Sequence, residues 1–158
     1  GLNGAEICRL LLANGADLAA RTRPDRRTPL HDVVSRVGQR VGELKAVEVL
    51  VNCGADPNSR TVRGETPMHL VIEGCRDSLV GHVEEAPADH ATADVIIRRG
   101  EAVLSLLMHR GGDANAVDNN HCTLISAVLS DDCDLPWAMP ANATNMHAQN
   151  KISWTLLN

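Results

Sequence analysis

Apolar residues recur at helical spacing in short runs, each closed by a glycine or opened by a capping threonine. Ile7, Leu10 and Leu11 lie on one face of a predicted helix over Ala5 to Ala13. Asn14-Gly15 ends it, with Gly15 suited to the left-handed C-cap conformation. The next helix is expected from about Pro29 to Val37. Thr28 stands as its N-cap, and Pro29 takes the first position, where a missing N–H costs nothing. A third helix, about Glu43 to Asn52, closes at Cys53-Gly54. Thr66-Pro67 opens a fourth with the same cap chemistry, expected to stop near Glu73-Gly74. A fifth spans about Glu101 to His109 and closes at Arg110-Gly111. The sixth lies near Thr123 to Leu129. After it Asp131, Pro136 and Pro140 break the pattern, and helical character returns only from Ile152 to Leu157.

These runs are two interleaved repeats. Thr28-Pro29-Leu30-His31 returns as Thr66-Pro67-Met68-His69 and faintly as Thr123-Leu124-Ile125-Ser126. Gly15-Ala16-Asp17, Gly54-Ala55-Asp56 and Gly111-Gly112-Asp113 follow the alternate helices. From each of these glycines to the next threonine is 13, 12 and 12 residues. This pattern resembles the ankyrin repeat, with its period of about 33 residues and its T-P-L-H box. The resemblance implies an all-α solenoid of stacked helix-turn-helix units, each preceded by a β-hairpin finger. Thr28, Pro29, Leu30, His31, Thr66, Pro67, Met68 and His69, with Gly15, Gly54 and Gly111, are its structural motif. Residues 1–130 are then an array of about three to four units, the first one partial, and residues 131–158 an irregular tail ending in a partial outer helix. Both ends fall inside a repeat, so a fragment of a longer array is expected.

The chain departs from the family in three ways. From threonine to closing glycine the second unit takes 26 residues and the third 45, against about 21 for the family. The excess in the third unit reads as an insertion over about 75–100, with a mobile polar stretch at Gly81 to His90 and a helical turn at Ala91 to Arg99. Val33-Val34, Val71-Ile72 and Val128-Leu129 stand where small alanines usually let inner helices touch. The usual Gly-His link between the two helices is missing throughout.

Composition narrows the picture. The 158 residues suffice for one domain and are 44% hydrophobic, yet Phe and Tyr are absent and Trp137 and Trp154 are the only aromatics. The core is therefore aliphatic, which suits stacked helices better than a sandwich of aromatic cross-strand pairs. No apolar run approaches the roughly 18 residues of a membrane span. The N-terminal residues lack the basic start and apolar stretch of a signal peptide. The five cysteines (Cys8, Cys53, Cys75, Cys122, Cys133) are odd in number and none form a CxxC pair, so neither a disulfide framework nor a zinc cluster is favoured. A reducing compartment, cytoplasm or nucleus, is expected, which makes the sequon Asn142-Ala143-Thr144 incidental. Net charge is −5 but uneven: residues 1–63 carry 10 Lys/Arg against 7 Asp/Glu, and residues 64–158 carry 5 against 13. Such a gradient steers and orients partners without setting the fold.

Candidate chemistry is sparse. His31 and His69 are read as structural, bonding nearby threonine and backbone groups. Ser126 replaces this histidine in the last unit. His82, Glu84, Glu85, Asp89, His90 and Asp94 supply metal-ligand types, but neither histidine sits in an HExxH or helical i, i+4 pair, so a solvated acidic loop is favoured and no metal or cofactor is implied. Cys8, Cys53 and Cys122 are read as small thiols facing neighbouring helices, and Cys133 lies among aspartates that disfavour its thiolate. No nucleophile elbow, P-loop or dinucleotide fingerprint is present, which argues against an enzyme.

The resemblance implies a non-catalytic protein-interaction module that grips its partner by the finger tips and the exposed face of the inner helices. By position this gives Arg27, Ser35 and Arg36 from the second unit. The third gives Arg60, Val62, Arg63, Glu65 and Glu73, and the fourth Val117, Asn119, Asn120, Cys122 and Asp131. With Arg21, Arg23 and Arg26 close by, the strip is arginine-rich. It suits an acidic peptide or protein surface, since guanidinium groups pair bidentately with carboxylates. Nucleic acid is disfavoured by the net charge and by the lack of stacking aromatics, and no membrane partner is implied; a monomeric array is expected. Two alternatives stand beside this. Ankyrin fingers are, as a family, hydroxylated on asparagine by an oxygen-dependent dioxygenase, and Asn58 and Asn115 match that acceptor. Each lies two residues after an aspartate and eight after a leucine (Leu50, Leu107). The segment is otherwise an architectural spacer within a larger multidomain protein.

Overall fold

The computed structural model describes residues 3–38, 43–85 and 90–129, without the side chains of 80–92. Six helices follow in chain order: α1 (Gly4–Ala13), α2 (Pro29–Val34), α3 (Glu43–Asn52), α4 (Pro67–Glu85), α5 (His90–His109) and α6 (Leu124–Leu129). Helix α2 packs on α4 and α4 on α6, forming an inner row. Helix α1 packs on α3 and α3 on α5, forming an outer row, and the rows join through α2 on α3 and α4 on α5. No strand occurs among the described residues; one isolated bridge pairs Val117 with Thr123. The solenoid expected from the repeats is therefore present.

Local chemistry accounts for the helix ends. Asn3 caps α1: its Oδ1 accepts the Glu6 N–H at 3.0 Å while the Glu6 carboxylate accepts the Asn3 N–H at 3.0 Å, a reciprocal capping box. Gly15, Gly54 and Gly111 follow the outer helices with φ of 87°, 99° and 92°. A residue without Cβ adopts this left-handed conformation without penalty.

The core is a continuous aliphatic layer between the rows. Leu30, Val34, Met68, Leu70, Ile72, Leu104, Leu107 and Leu124 are buried to within 1% of full burial. Burying side chains of this kind contributes about 1.5–3 kcal/mol each before conformational entropy is subtracted.

The largest difference from expectation lies in the third unit. Helix α4 does not stop at Glu73-Gly74 but continues to Glu85, and α5 starts at His90 rather than Glu101. The excess residues lengthen both helices instead of forming a loop through Gly81 to Glu85; only 86–89 lie outside the described residues. The reason is apolar spacing. Leu79, Ala93, Ile96 and Ile97 are buried with Cys75 in the same core, so the added turns bury their own stripe. Gly74 is a contact rather than a stop. A Cβ on it would strike the Ser35 carbonyl, and one on Gly38 would strike the Ser78 side chain. The valines and isoleucine of the inner row are buried, and the close backbone approach between α2 and α4 occurs one turn further on, at Gly74. Helix α2 ends at Val34, earlier than expected, in a turn over 35–38 that carries the buried Val37 against this hairpin. The tail from 130 onward, including Asp131 and the helix expected at Ile152 to Leu157, lies outside the described residues.

Candidate functional site

The candidate surface is the row of fingers and the joints between them. Each finger starts with an aspartate that turns the backbone. Asp17, Asp56 and Asp113 accept, through Oδ1, the N–H two residues on: Ala19 at 2.8 Å, Asn58 at 2.9 Å and Asn115 at 2.9 Å. This side-chain turn competes with helix and fixes the finger's base. Each finger then reverses through a left-handed residue two positions before the capping threonine: Arg26 (φ 57°), Gly64 (φ 77°) and His121 (φ 62°). Backbone bonds close the hairpins, from Thr22 N–H to Arg27 O at 2.9 Å, Thr61 to Glu65 at 3.0 Å and Asp118 to Cys122 at 3.1 Å.

Four kinds of bond tie one finger to the next. Backbone stitches run from Val62 N–H to Asp25 O and from Asn119 N–H to Arg63 O, both 2.9 Å. Histidines lock the caps. His31 Nδ1 accepts the Thr28 N–H at 3.1 Å. That leaves Nε2–H as the donor, 3.1 Å from Ser59 O and 3.3 Å from Glu65 O. His69 repeats the arrangement, accepting from Thr66 N–H at 3.2 Å and donating to Cys122 O at 3.2 Å. The structural role expected for both histidines is the one they fill. In the last unit Ser126 takes the histidine's place at the cap: its Oγ accepts the Thr123 N–H at 2.7 Å.

The third kind of bond is an arginine ladder that sequence reasoning missed. Arg21 donates to Arg26 O of its own finger at 3.1 Å and to Arg60 O of the next at 2.7 Å. Arg60, at the same register, donates to Gly64 O at 3.3 Å and Val117 O at 2.6 Å. The available signal was arginine four residues after the finger aspartate in two successive units. The fourth kind is an asparagine clamp. Asn58 Nδ2 donates to Gly111 O at 2.8 Å, and its Oδ1 accepts the Asp113 N–H at 2.8 Å.

These bonds redistribute the candidate residues. Val62 is 54% exposed, and Arg36, Arg60, Arg63, Asn119 and Asn120 are also exposed. Ser35, Glu73 and Val117 are half-buried, as is Arg27, whose Nη1 lies 4.0 Å from Asp32 Oδ1. Arg36 Nε donates to Asp32 O at 3.1 Å and Ser35 Oγ to the same oxygen at 2.9 Å. Arg63 Nε stands 3.8 Å from Glu65 Oε2. Two residues do not fit a contact strip. Glu65 is buried, accepting from Thr61 Oγ1 at 3.1 Å, and Cys122 is buried beneath His69. Both were placed on the strip by finger register, which does not reveal that these side chains turn inward. Arg60 is exposed, but its guanidinium is committed to backbone carbonyls, as is the amide of Asn119, which donates to Val62 O at 3.0 Å. Of the metal-type group, His82, Glu84, Glu85, Asp89 and His90 lie outside the described side chains. Cys53 is exposed rather than facing a neighbouring helix, Cys8 is half-buried, and Cys122 is disulfide-bonded, against the expectation of unpaired cysteines.

Burial governs the shifted ionisations. Desolvation lowers both His31 and His69, against the raising effect of the carbonyls they bond. Desolvation, then the nearby Glu65 and Asp77 carboxylates, raises Glu73. Burial raises Asp77, and it pushes the Cys75 thiol up to about 12, so that thiol is inert.

Comparison with known proteins agrees with this geometry. Residues 25–62 match the ankyrin repeat family. The chain is similar to mouse protein fem-1 homolog A-A, 35% identical over 39% of this chain and 11% of the relative. It is also similar to the Arabidopsis thaliana E3 ubiquitin-protein ligase KEG, 29% identical over 54% of this chain and 5% of the relative. The chain thus spans about a tenth or less of these relatives. Among solved structures, the ankyrin repeat domain of Bcl-3, a member of the IkappaB protein family, superimposes with a TM-score of 0.58, covering 97% of this chain and 46% of that one at 19% identity. Repeats of this kind generally mediate protein–protein interaction and are not themselves catalytic.

Proposed function

We propose that this chain, which has the ankyrin-repeat fold and matches the ankyrin repeat family over residues 25–62, is a non-catalytic binding module whose partner is a protein or peptide with an acidic surface. The observation that carries this is the stitched finger row. Backbone bonds between successive tips convert separate turns into one continuous edge beside the inner helices. Arg27, Arg36 and Arg63 stand along it, with the exposed Arg23 and Arg26 next to them. The nearest carboxylates of Arg27 and Arg63, 4.0 Å and 3.8 Å away, are too distant for tight pairing, so these two guanidinium groups remain available to an incoming anion. Aromatic hot spots are lacking among them, so binding rests on charge and is salt-sensitive.

Reversing Arg27 and Arg63 together to Glu tests this. Affinity capture with the wild-type chain beside R27E/R63E should lose the same proteins that elevated salt releases. Retention of every wild-type partner by a folded double variant refutes the basic-edge reading.

A second reading has its own observation. Asn115 is exposed and, among the described residues, its backbone N–H rather than its amide is bonded to the turn, whereas Asn58 is clamped at both ends of its amide. Asn115 is therefore the better acceptor for an asparagine hydroxylase. A +16 mass at Asn115 after incubation with such an enzyme supports it, and an unchanged mass ends it. Membership in a larger multidomain protein, as a spacer, fits the small share of the relatives that the chain spans.

A further inference from the structure

The two finger joints differ at one side chain. In the joint between the second and third fingers, Asn58 bridges Gly111 O and Asp113 N–H, both at 2.8 Å. One unit earlier, the Gly-x-Asp register makes Gly54 O and Asp56 N–H the corresponding groups, and Ala19 the residue that faces them. The backbone at Ala19 is held as at Asn58: its N–H lies 2.8 Å from Asp17 Oδ1, against 2.9 Å from Asn58 N to Asp56 Oδ1. Only the carboxamide is missing. A cavity of about 140 Å³ opens there, lined by Ala19, Arg21, Gly54, Ala55, Asp56 and Ser59 among others. Gly54 O and Asp56 N–H have no protein hydrogen-bond partner among the described residues.

We infer that the joint between the first and second fingers is a receptor site for a primary carboxamide, supplied by an Asn or Gln side chain of a bound partner segment. One acceptor and one donor sit in the register that the second joint fills with –CONH₂. A carboxylate offers no N–H to Gly54 O, and an ammonium offers no acceptor to Asp56 N–H. Of these three groups the amide is the one that satisfies both, and a site built to pair two polar groups rejects analogues that leave one unpaired. The volume is ample, since one water needs only about 10–15 Å³ on the same measure. The wall is set before binding: Arg21 is fixed to Arg26 O and Arg60 O, which limits the ordering cost. The inference rests on the binding-module reading only for the source of the amide.

The test needs no natural partner. The full ¹⁵N-labelled chain is titrated with propionamide, and with propionate as the isosteric control. The expected result is a saturable shift of the Asp56 amide resonance, half-complete at roughly 1–100 mM for so small a ligand, with no matching response to propionate. A19N places the amide in cis. It should abolish that shift and raise Tm by about 2–6 °C. N58A uncovers the equivalent groups and should gain a propionamide-dependent shift at Asp113. No saturable response at Asp56, an equal response to propionate, or an intact response in folded A19N overturns the inference. Because propionamide does not probe the arginine edge, failure here leaves the basic-edge reading standing, and loss of that reading leaves this result unchanged.

Discussion

His31 Nε2 stands 3.1 Å from the carbonyl of Ser59, so a side chain inside one unit's cap holds the backbone of the next finger. The other ring nitrogen accepts a backbone N–H. A proton added there would set two donors against each other, and the ring is buried, so the neutral form is favoured.

Acid sensitivity follows. The folded-state pKa of His31 and of His69 is lowered below the usual 6.5. The unfolded chain then binds protons first as pH falls. The stabilisation is complete above about pH 6.5 and is lost below it, levelling off beneath the folded values. Tm measured from pH 8 to 5 should decline from about 6.5 downward. In H31Q/H69Q the decline should flatten, with a loss at pH 7.5 of about 1–3 kcal/mol per site.

Glu73 has the opposite sign. Its pKa is raised by burial and neighbouring carboxylates, so its contribution is full below about 4.5 and is lost as pH rises through the folded value. E73Q should raise Tm at pH 7 by an amount worth under about 1 kcal/mol, and the gain should vanish at pH 4. A neutral-pH Tm equal to wild type would show that the charge costs nothing there.

The two neighbouring arginines should separate in urea unfolding. R60A removes both ladder bonds and should cost about 1–2 kcal/mol. R63A removes only a loose 3.8 Å pair whose arginine is exposed, and should stay within about 0.5 kcal/mol.

Left-handed positions give a stabilising change. Arg26 and His121 occupy the conformation that Gly64 adopts freely. R26G or H121G should gain about 0.5–1 kcal/mol. G64A should lose more than about 2 kcal/mol, since its Cβ would strike both the side chain and the backbone N of Asn119. Thermal melts of the three variants check the ordering.

Cysteine alkylation reports the lengthened hairpin. Cys75 is buried, its thiol pushed up to about 12. Iodoacetamide should label the exposed Cys53 in the native chain and reach Cys75 only after denaturation. Labelling of both at equal rates would contradict the packing of α4 on α5.

The architecture was legible because its cues are local. Thr28, Thr66 and the glycines after each outer helix announce helix ends, and α3 runs from Glu43 to Asn52 as its pattern predicts. Gly74 misled because glycine marks both helix ends and close helix contacts, and only the partner, Ser35, distinguishes them. The candidate surface was less legible. Register places Arg60, Glu65 and Cys122 on the finger row but says nothing of side-chain direction, which depends on carbonyls and helices supplied by the neighbouring unit.

The guanidinium bonds of Arg21 and Arg60 all point toward the C-terminus, and the asparagine clamp points the same way. The backbone stitches and the Asn119 amide run the other way, donating from a later finger to an earlier one. Each joint is thus tied from both sides, and because a hydrogen bond is lost whichever partner leaves, opening one end of the array strips only the adjoining joint. Fraying should accordingly advance unit by unit from either end, with the joints beyond it intact.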